Sequence, residues 1–198
     1  MIEHSSILII EDELITAEAI AQLLREEEYE VAGIASDATS AIHICNTAAK
    51  LPSVIICDIR IKGEMNGIEL AAELKKKYQF EIIFLTAFAD AKTLNAAFKI
   101  EPVMYVVKPY GDKQLLVAVQ MAFHKIFNRE KVQSKTSLVL TDREKEIAEL
   151  VAQGFSSKQV SSKLNISIET VKTHRRRMLQ KNNISSFPHL VYLLNYRS

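Results

Sequence analysis

The sequence predicts an α/β fold, a doubly wound five-stranded parallel sheet, followed by a small all-α helical domain. Short, continuously apolar segments alternate five times with helical patterns up to about residue 127. Uninterrupted apolar segments of this length are typical of parallel strands that are buried on both faces. Beyond Leu140 only helical patterns remain. The alternation therefore favours right-handed β-α-β crossovers in the first part of the chain and helices alone in the second.

The alternating part of the chain is interpreted as five strands and five helices. The predicted strands lie near 6–11, 30–35, 53–58, 81–86 and 103–107, and the predicted helices lie near 14–27, 38–49, 67–78, 90–99 and 112–127. The polar stretch that follows is predicted to fray from the last helix into a linker. The expected organisation is a first domain at 1–127, a linker at 128–137 and a second domain at 138–198.

Capping signals divide the second domain into four helices. Thr141 and Glu144 have the spacing of a capping box, Gly154 is typical of the residue that follows a helix, and Ser167 is a good N-cap. The helices are expected over about 142–153, over 157–164, from 168 to about 181, and from the turn containing Pro188 to 194. The second and third of these helices flank a short turn at Asn165.

Composition indicates a soluble protein of the cytoplasm. The 198-residue chain is 48% apolar and 25% charged, which suits a protein with buried cores and a polar surface. No apolar stretch approaches the ~20 residues that a membrane-spanning helix needs, and the N-terminus lacks a signal-peptide pattern. Cys45 and Cys57 are too few for a disulfide framework, and Cys57 is expected to be buried in a strand.

Charge is distributed unevenly along the chain. Residues 1–134 carry 14 Lys and Arg against 19 Asp and Glu, a net charge of −5. Residues 135–198 carry 11 against 5, a net charge of +6. An acidic part joined to a basic part indicates that only the second part binds a polyanion.

Five polar residues stand at or just after the carboxyl ends of four predicted strands. They are Glu11, Asp12, Asp58, Thr86 and Lys108. Ligands of open parallel sheets bind outside these strand ends, so the five side chains are expected to converge. Three crowded carboxylates repel one another and need a cation, and hard oxygen ligands suit Mg²⁺.

In this order and spacing, the five residues resemble the phosphoacceptor site of a receiver domain. Segments 140–144 (LTDRE), 156–160 (SSKQV) and 170–176 (TVKTHRR) resemble a LuxR-type helix-turn-helix module. Nearly the whole chain, apart from the linker, is thus similar to a two-component response regulator of the NarL/FixJ type. The resemblance implies a flavodoxin-like strand order of 2-1-3-4-5 in the first domain.

The resemblance assigns a role to each strand-end residue. Asp58 would be the phosphoacceptor, since a carboxylate at a strand end can attack phosphorus and form an acyl phosphate. Mg²⁺ would be held by the carboxylates of Glu11, Asp12 and Asp58 and by the backbone carbonyl of Arg60. Lys108 would pair with a phosphoryl oxygen.

Further residues are assigned to the response to phosphorylation. Thr86 would donate its hydroxyl to the phosphoryl group, and Tyr105 occupies the place of the family's switch aromatic. The resemblance also implies a cis peptide bond between Lys108 and Pro109. The segment 58–67 (DIRIKGEMNG) is one residue longer than the common receiver version, which is expected to alter the rim where a kinase docks.

The third helix of the second domain is expected to enter the major groove of DNA. Its outward face is predicted to carry Lys172, Thr173, Arg175 and Arg176. The candidate base-reading residues are Lys172, Thr173 and Arg176. The candidate phosphate-binding residues are Arg175, Arg177, Lys181 and, at the start of the second helix, Ser156 and Ser157. Asn182 replaces a leucine common in the family and is expected to loosen the end of this helix.

These observations favour a non-enzymatic, phosphorylation-dependent transcriptional regulator. A histidine kinase would phosphorylate Asp58, and the phosphorylated protein would bind a two-fold DNA site as a homodimer. One alternative is a constitutive DNA-binding protein whose receiver acts only as an interaction module. Another is a phosphatase of the haloacid-dehalogenase type, which is disfavoured because Arg60 stands where that chemistry needs a second aspartate.

Overall fold

The computed structural model describes residues 6–87, 91–130 and 138–195. Contacts within the chain divide it into two compact units. The first unit comprises Met1–Arg25 and Tyr29–Tyr110, and the second comprises Glu26–Glu28 and Gly111–Ser198. By these contacts the helix predicted at 112–127 falls in the second unit, so the predicted domain boundary at 127 stays a prediction.

The first unit contains a five-stranded parallel sheet. Its strands are β1 (Ser6–Ile10), β2 (Glu30–Ala35), β3 (Val54–Asp58), β4 (Glu81–Thr86) and β5 (Met104–Val107). The strand order is β2-β1-β3-β4-β5, and every neighbouring pair is parallel. Both the predicted fold class and the order implied by the family resemblance are confirmed.

Helices α1 to α4 follow the first four strands. They are α1 (Leu14–Glu26), α2 (Ala38–Thr47), α3 (Gly67–Lys75) and α4 (Ala91–Phe98). Each has about the predicted position, but α2 and α3 end two and three residues early. The backbone of Ala48 is already extended, and Lys76 caps α3 within a run of three lysines that lacks the apolar spacing of a buried helix face.

Burial on both faces explains why the strands are continuously apolar. In β1 and β3 every residue is buried, although successive side chains point to opposite faces of a sheet. One face carries a contiguous core to which strands β1 to β4 and helices α2, α3 and α4 contribute, including Leu8, Cys45, Leu70 and Phe84. Cys57 belongs to the same core and is a free thiol, as its place in a strand predicts.

Helix α3 begins unusually close to the end of β3. The Asn66 side chain accepts hydrogen bonds from the backbone N–H groups of Ile68 and Glu69 and so fixes the first turn. A Cβ atom placed on Gly67 would lie 2.1 Å from the backbone oxygen of Asp58 and 2.8 Å from the Cys57 sulfur. Only glycine permits this approach, so the position of the Asp58 backbone depends on Gly67.

The second unit is helical. Its helices are α5 (Asp112–Arg129), α6 (Asp142–Ala152), α7 (Ser157–Leu164), α8 (Ile168–Asn182) and α9 (Phe187–Asn195). The predicted capping box of Thr141 and Glu144 is present, and Gly154 has a φ of +84°, which suits the residue after α6. Helix α5 continues to Arg129 instead of ending at 127. Most of the predicted linker, residues 131–137, lies outside the described residues.

Helices α6 to α9 enclose a core of their own. Its buried members include Ile147, Val160, Val171 and Met178. The expectation that Asn182 loosens the end of α8 is wrong. Its side-chain amide donates to the carbonyls of Met178 and Val139, at 2.8 and 3.2 Å, and accepts from the N–H of Val139 at 2.7 Å. These bonds tie the helix end to the segment that precedes α6.

In the part of the chain that the structure describes, no helix is both long enough and apolar enough to cross a membrane.

The close approach at Gly67 yields a prediction. Gly67→Ala is expected to lower the free energy of unfolding by about 1–3 kcal/mol, because the added methyl group overpacks the junction of β3 and α3. Gly111→Ala is the matched control, since a Cβ there would meet nothing within 4 Å. Urea unfolding followed by circular dichroism measures both. A Gly67→Ala variant no less stable than the Gly111→Ala variant would contradict the predicted close packing.

Candidate functional site

Three carboxylates meet at the carboxyl edge of the sheet. Glu11 and Asp12 directly follow β1, and Asp58 is the last residue of the adjacent strand β3. One oxygen from each side chain lies within 4.8 Å of the other two. Glu11 and Asp58 are buried and Asp12 is half-buried. The sheet topology therefore produces the convergence that the sequence predicts.

Lys108 neutralises two of these carboxylates. Its Nζ atom lies 2.7 Å from Glu11 Oε2 and 2.5 Å from Asp58 Oδ2. Burial lowers the pKa of Lys108, but the hydrogen bonds to Asp58 and Glu11 outweigh it and hold the pKa above its ordinary value. Burial raises the pKa of Glu11, and the hydrogen bond from Lys108 opposes that shift only in part. The ammonium group thus remains charged and bridges the two acids.

Backbone hydrogen bonds fix the Asp58 carboxylate and join the ends of the neighbouring strands. The N–H of Arg60 donates to Asp58 Oδ1 at 2.9 Å, which directs the carboxylate toward the loop after β3. The N–H of Lys108 donates to the carbonyl of Thr86 at 2.7 Å and so joins the end of β5 to that of β4. The peptide bond between Lys108 and Pro109 is cis, as the family resemblance implies.

Thr86 and Tyr105 lie on the β4 and β5 side of the site. Thr86 is buried and is one residue beyond Leu85, the β4 residue that pairs with Asp58. The Tyr105 ring stacks on Phe84, with centroids 5.9 Å apart, and meets the edge of Phe98 at 5.5 Å. Its hydroxyl has no hydrogen-bond partner among the described residues. Burial raises the pKa of this hydroxyl, which therefore stays protonated at neutral pH.

The donor set suits a hard divalent cation. It consists of carboxylate oxygens from Glu11, Asp12 and Asp58, close enough to share one ion. Mg²⁺ prefers oxygen ligands and usually keeps several waters, so three carboxylates and a partly open edge are compatible with it. Half-buried Asp12 is the member of the set nearest to solvent.

The buried face of α8 differs from the prediction at one residue. Val171, Arg175 and Met178 are the buried residues of this helix, and their i, i+4, i+7 spacing places them on one face. Arg175, predicted to point outward, is 1% exposed, and its guanidinium lies 4.4 Å from the centre of the Phe187 ring. The outward placement of Arg175 is therefore wrong, because it shares the stripe of the core residue Val171.

An acidic residue from a distant part of the chain accompanies Arg175. Glu27 belongs to the second unit, and its carboxylate accepts hydrogen bonds from the backbone N–H of Ser157 at 2.6 Å and from the Ser157 hydroxyl at 2.9 Å. Arg175 donates to the same carboxylate and to the Glu27 carbonyl. A carboxylate thus occupies the N-terminus of α7, where the sequence predicts a DNA phosphate.

The other predicted DNA-binding residues divide by exposure. Arg176 and Arg177 are exposed, and Lys172 and Thr173 are half-buried. Ser156 is buried, and its hydroxyl accepts from the N–H of Gln159 as the cap of α7. The ammonium of Lys181 contacts the buried carboxylate of Glu144 and thereby links α8 to α6. Lys172, Thr173, Arg176 and Arg177 are thus the predicted DNA-binding residues of α8 that are neither buried nor paired with a carboxylate among the described residues.

Two protein families match the chain, one over each part. The response regulator receiver domain matches residues 7–120. The bacterial regulatory proteins of the luxR family match residues 138–194. Together the two matches span the carboxylate cluster and the helices α6 to α8.

Individual relatives match this chain over most of its length. The transcriptional regulatory protein DesR of Bacillus subtilis is 32% identical over 186 residues, which cover 91% of this chain and 92% of DesR. The response regulator protein VraR of Staphylococcus epidermidis is 28% identical over 188 residues, or 88% of each chain. A solved structure of the response regulator StyR is 28% identical, covers 96% of this chain and 98% of its own, and superposes with a TM-score of 0.52.

These findings do not favour the alternative of a constitutive DNA-binding protein whose receiver is only an interaction module. One match is to a receiver domain and the other to a family of bacterial regulatory proteins, and together they account for both parts of the sequence. The chain therefore belongs to the response regulators that join a receiver domain to a LuxR-type helix-turn-helix, and it is a phosphorylation-dependent transcriptional regulator that binds DNA.

Proposed function

We propose that Asp58 accepts a phosphoryl group from a sensor histidine kinase. The observation that carries this proposal is the position of Asp58 at the end of β3, beside Glu11 and Asp12 and within 2.5 Å of the Lys108 ammonium. A carboxylate oxygen of Asp58 would attack phosphorus and form a P–O bond. The P–N bond to the kinase histidine would break, and its electron pair would remain on the imidazole nitrogen.

The other residues around Asp58 would bind the metal ion and the phosphoryl group. Mg²⁺ would be held by the carboxylates of Glu11, Asp12 and Asp58 and by the backbone carbonyl of Arg60. When bound, the ion would offset negative charge on the transferring phosphoryl group. Lys108, which already contacts Asp58, would follow the new charge and pair with a phosphoryl oxygen.

The acyl phosphate would then change the protein through Thr86 and Tyr105. A phosphoryl group adds a charge of roughly −1.5 to −2 and three strong acceptor oxygens. Thr86, at the end of the neighbouring strand, would donate its hydroxyl to one of them. Tyr105 could follow with a new hydrogen bond, since its hydroxyl has no partner among the described residues. These successive movements would couple phosphorylation to a change in the surface formed by α4 and β5.

DNA would be bound in the cytoplasm by the helix-turn-helix within residues 138–198. Helix α8 would enter the major groove, where Lys172, Thr173 and Arg176 would read base edges. Phosphates would be bound by residues around this helix, namely Ser156, Ser157, Arg175, Arg177 and Lys181. For Arg175 and Ser157 this requires the release of Glu27, which both residues contact in the present structure. A homodimer of the phosphorylated protein would bind a two-fold site.

The phosphoacceptor proposal is tested by mass spectrometry of the intact protein. Incubation with acetyl phosphate and Mg²⁺ should add one phosphoryl group to the wild type and none to Asp58→Asn, because the nucleophilic carboxylate is gone. Asp112→Asn, which replaces an exposed aspartate at the start of α5, should gain the group normally. A mass gain that persists in Asp58→Asn, or that is undiminished with a metal chelator, would rule out the proposed site.

The assignment of base and phosphate contacts is tested with DNA duplexes. Lys172→Ala or Arg176→Ala should cost about 1–3 kcal/mol against the preferred sequence and reduce discrimination, because contacts to bases carry sequence information. Arg177→Ala should weaken binding to every sequence and lower the slope of log K against log salt by about one unit, since one fewer counterion is released.

Titration of each variant against a preferred and a scrambled duplex at several salt concentrations measures both effects. Lys145→Ala, an exposed lysine on α6, is the control and should change neither affinity nor discrimination. Equal weakening of both duplexes by Arg176→Ala would identify Arg176 as a phosphate contact instead of a base reader.

A further inference from the structure

Asp12, the third carboxylate of the cluster, pairs with a lysine from the loop between β3 and α3. Lys62 Nζ lies 3.5 Å from Asp12 Oδ2. Lys108 contacts only the other two acids, Glu11 and Asp58. Each carboxylate in the cluster therefore forms an ion pair with a lysine ammonium group, and the partner of Asp12 is Lys62.

Lys62 belongs to the lengthened segment between β3 and α3. Although its side chain is exposed, its backbone is anchored by an isolated parallel bridge to Asp37. Asp37 is itself fixed as the N-cap of α2, where its side chain accepts the N–H of Ser40 at 2.9 Å. The segment is also held near its ends, because Ile59 donates to the carbonyl of Leu85 and accepts from the N–H of Gly67. These contacts fix the backbone from which the exposed Lys62 side chain reaches Asp12.

Lys62 and a divalent cation would compete for the same oxygen. Asp12 is one of three carboxylates close enough to share an ion, and a positive charge 3.5 Å away lowers the affinity of that group for a second cation. The side chain of Lys62 is 76% exposed, so solvent screens the interaction and keeps it modest. Lys108 differs because it bridges the two buried acids and has a proposed role on the phosphoryl group.

We propose that Lys62 is a positioning residue that weakens Mg²⁺ binding by pairing with Asp12, and that it thereby raises the metal concentration at which the site fills. This inference rests on the proposed metal site of Glu11, Asp12 and Asp58. Mg²⁺ binding displaces the Lys62 ammonium from Asp12 into solvent, where its exposed side chain has room to move. The lengthened loop thereby acts on the chemistry of the site.

The test is a calorimetric titration of the full chain with Mg²⁺ in the absence of any phosphodonor. Lys62→Gln should bind Mg²⁺ roughly two- to fivefold more tightly than the wild type at low salt, because an exposed ion pair has been removed. Lys62→Arg keeps the charge and should stay near the wild type. Lys50→Gln is the matched control, since this exposed lysine precedes β3 and lies at the opposite edge of the sheet.

Salt provides a second readout. High salt should reduce the difference between Lys62→Gln and the wild type, since exposed charges are screened, whereas a change in loop structure would persist. A Lys62→Gln affinity equal to that of Lys50→Gln, or weaker than the wild type, would overturn the role of Lys62 alone. Wild-type protein that takes up no Mg²⁺ would overturn the metal site itself and with it this inference.

Discussion

Mutual repulsion among three carboxylates governs the electrostatics of the strand-end site. Glu11, Asp12 and Asp58 are brought within 4.8 Å of one another because β1 and β3 are adjacent parallel strands that end at the same edge. The repulsion within such a cluster is relieved by nearby cations or by protonation of one of the acids. Lys108 and Lys62 supply two positive charges, and both contact the cluster directly. In the proposed function, a bound Mg²⁺ would replace part of these cationic contacts.

The fixed frame around this cluster explains how a small chemical change could be transmitted. Gly67 lets α3 begin against the backbone of Asp58, and the Lys108 N–H joins the ends of β4 and β5. Strands buried on both faces are tightly packed, so in the proposed function a new charge at Asp58 would be met by movement of the less constrained groups. Thr86 and Tyr105 are the proposed movable groups, and Tyr105 has a hydroxyl without a partner among the described residues.

The sequence predicted the fold and the carboxylate cluster because both depend on local patterns. Apolar segments marked all five strands, and polar residues at their ends marked the site. Helix ends were less accurate, as at α2, because apolar spacing weakens before a helix stops. The charge of Arg175 predicts exposure, although its spacing from Val171 places it inside. Local patterns do not predict the role of Glu27, because its contacts with Ser157 and Arg175 span 130 and 148 residues.

The role of the Asp58 carboxylate is tested by measuring DNA affinity before and after phosphorylation. A duplex selected from a random pool by the phosphorylated protein would be titrated by fluorescence anisotropy, with and without acetyl phosphate and Mg²⁺. We expect the affinity of the wild type to rise on phosphorylation and that of Asp58→Asn to remain unchanged. An unchanged affinity for fully phosphorylated wild type, or an equal rise for Asp58→Asn, would contradict the claim that this carboxylate controls DNA binding.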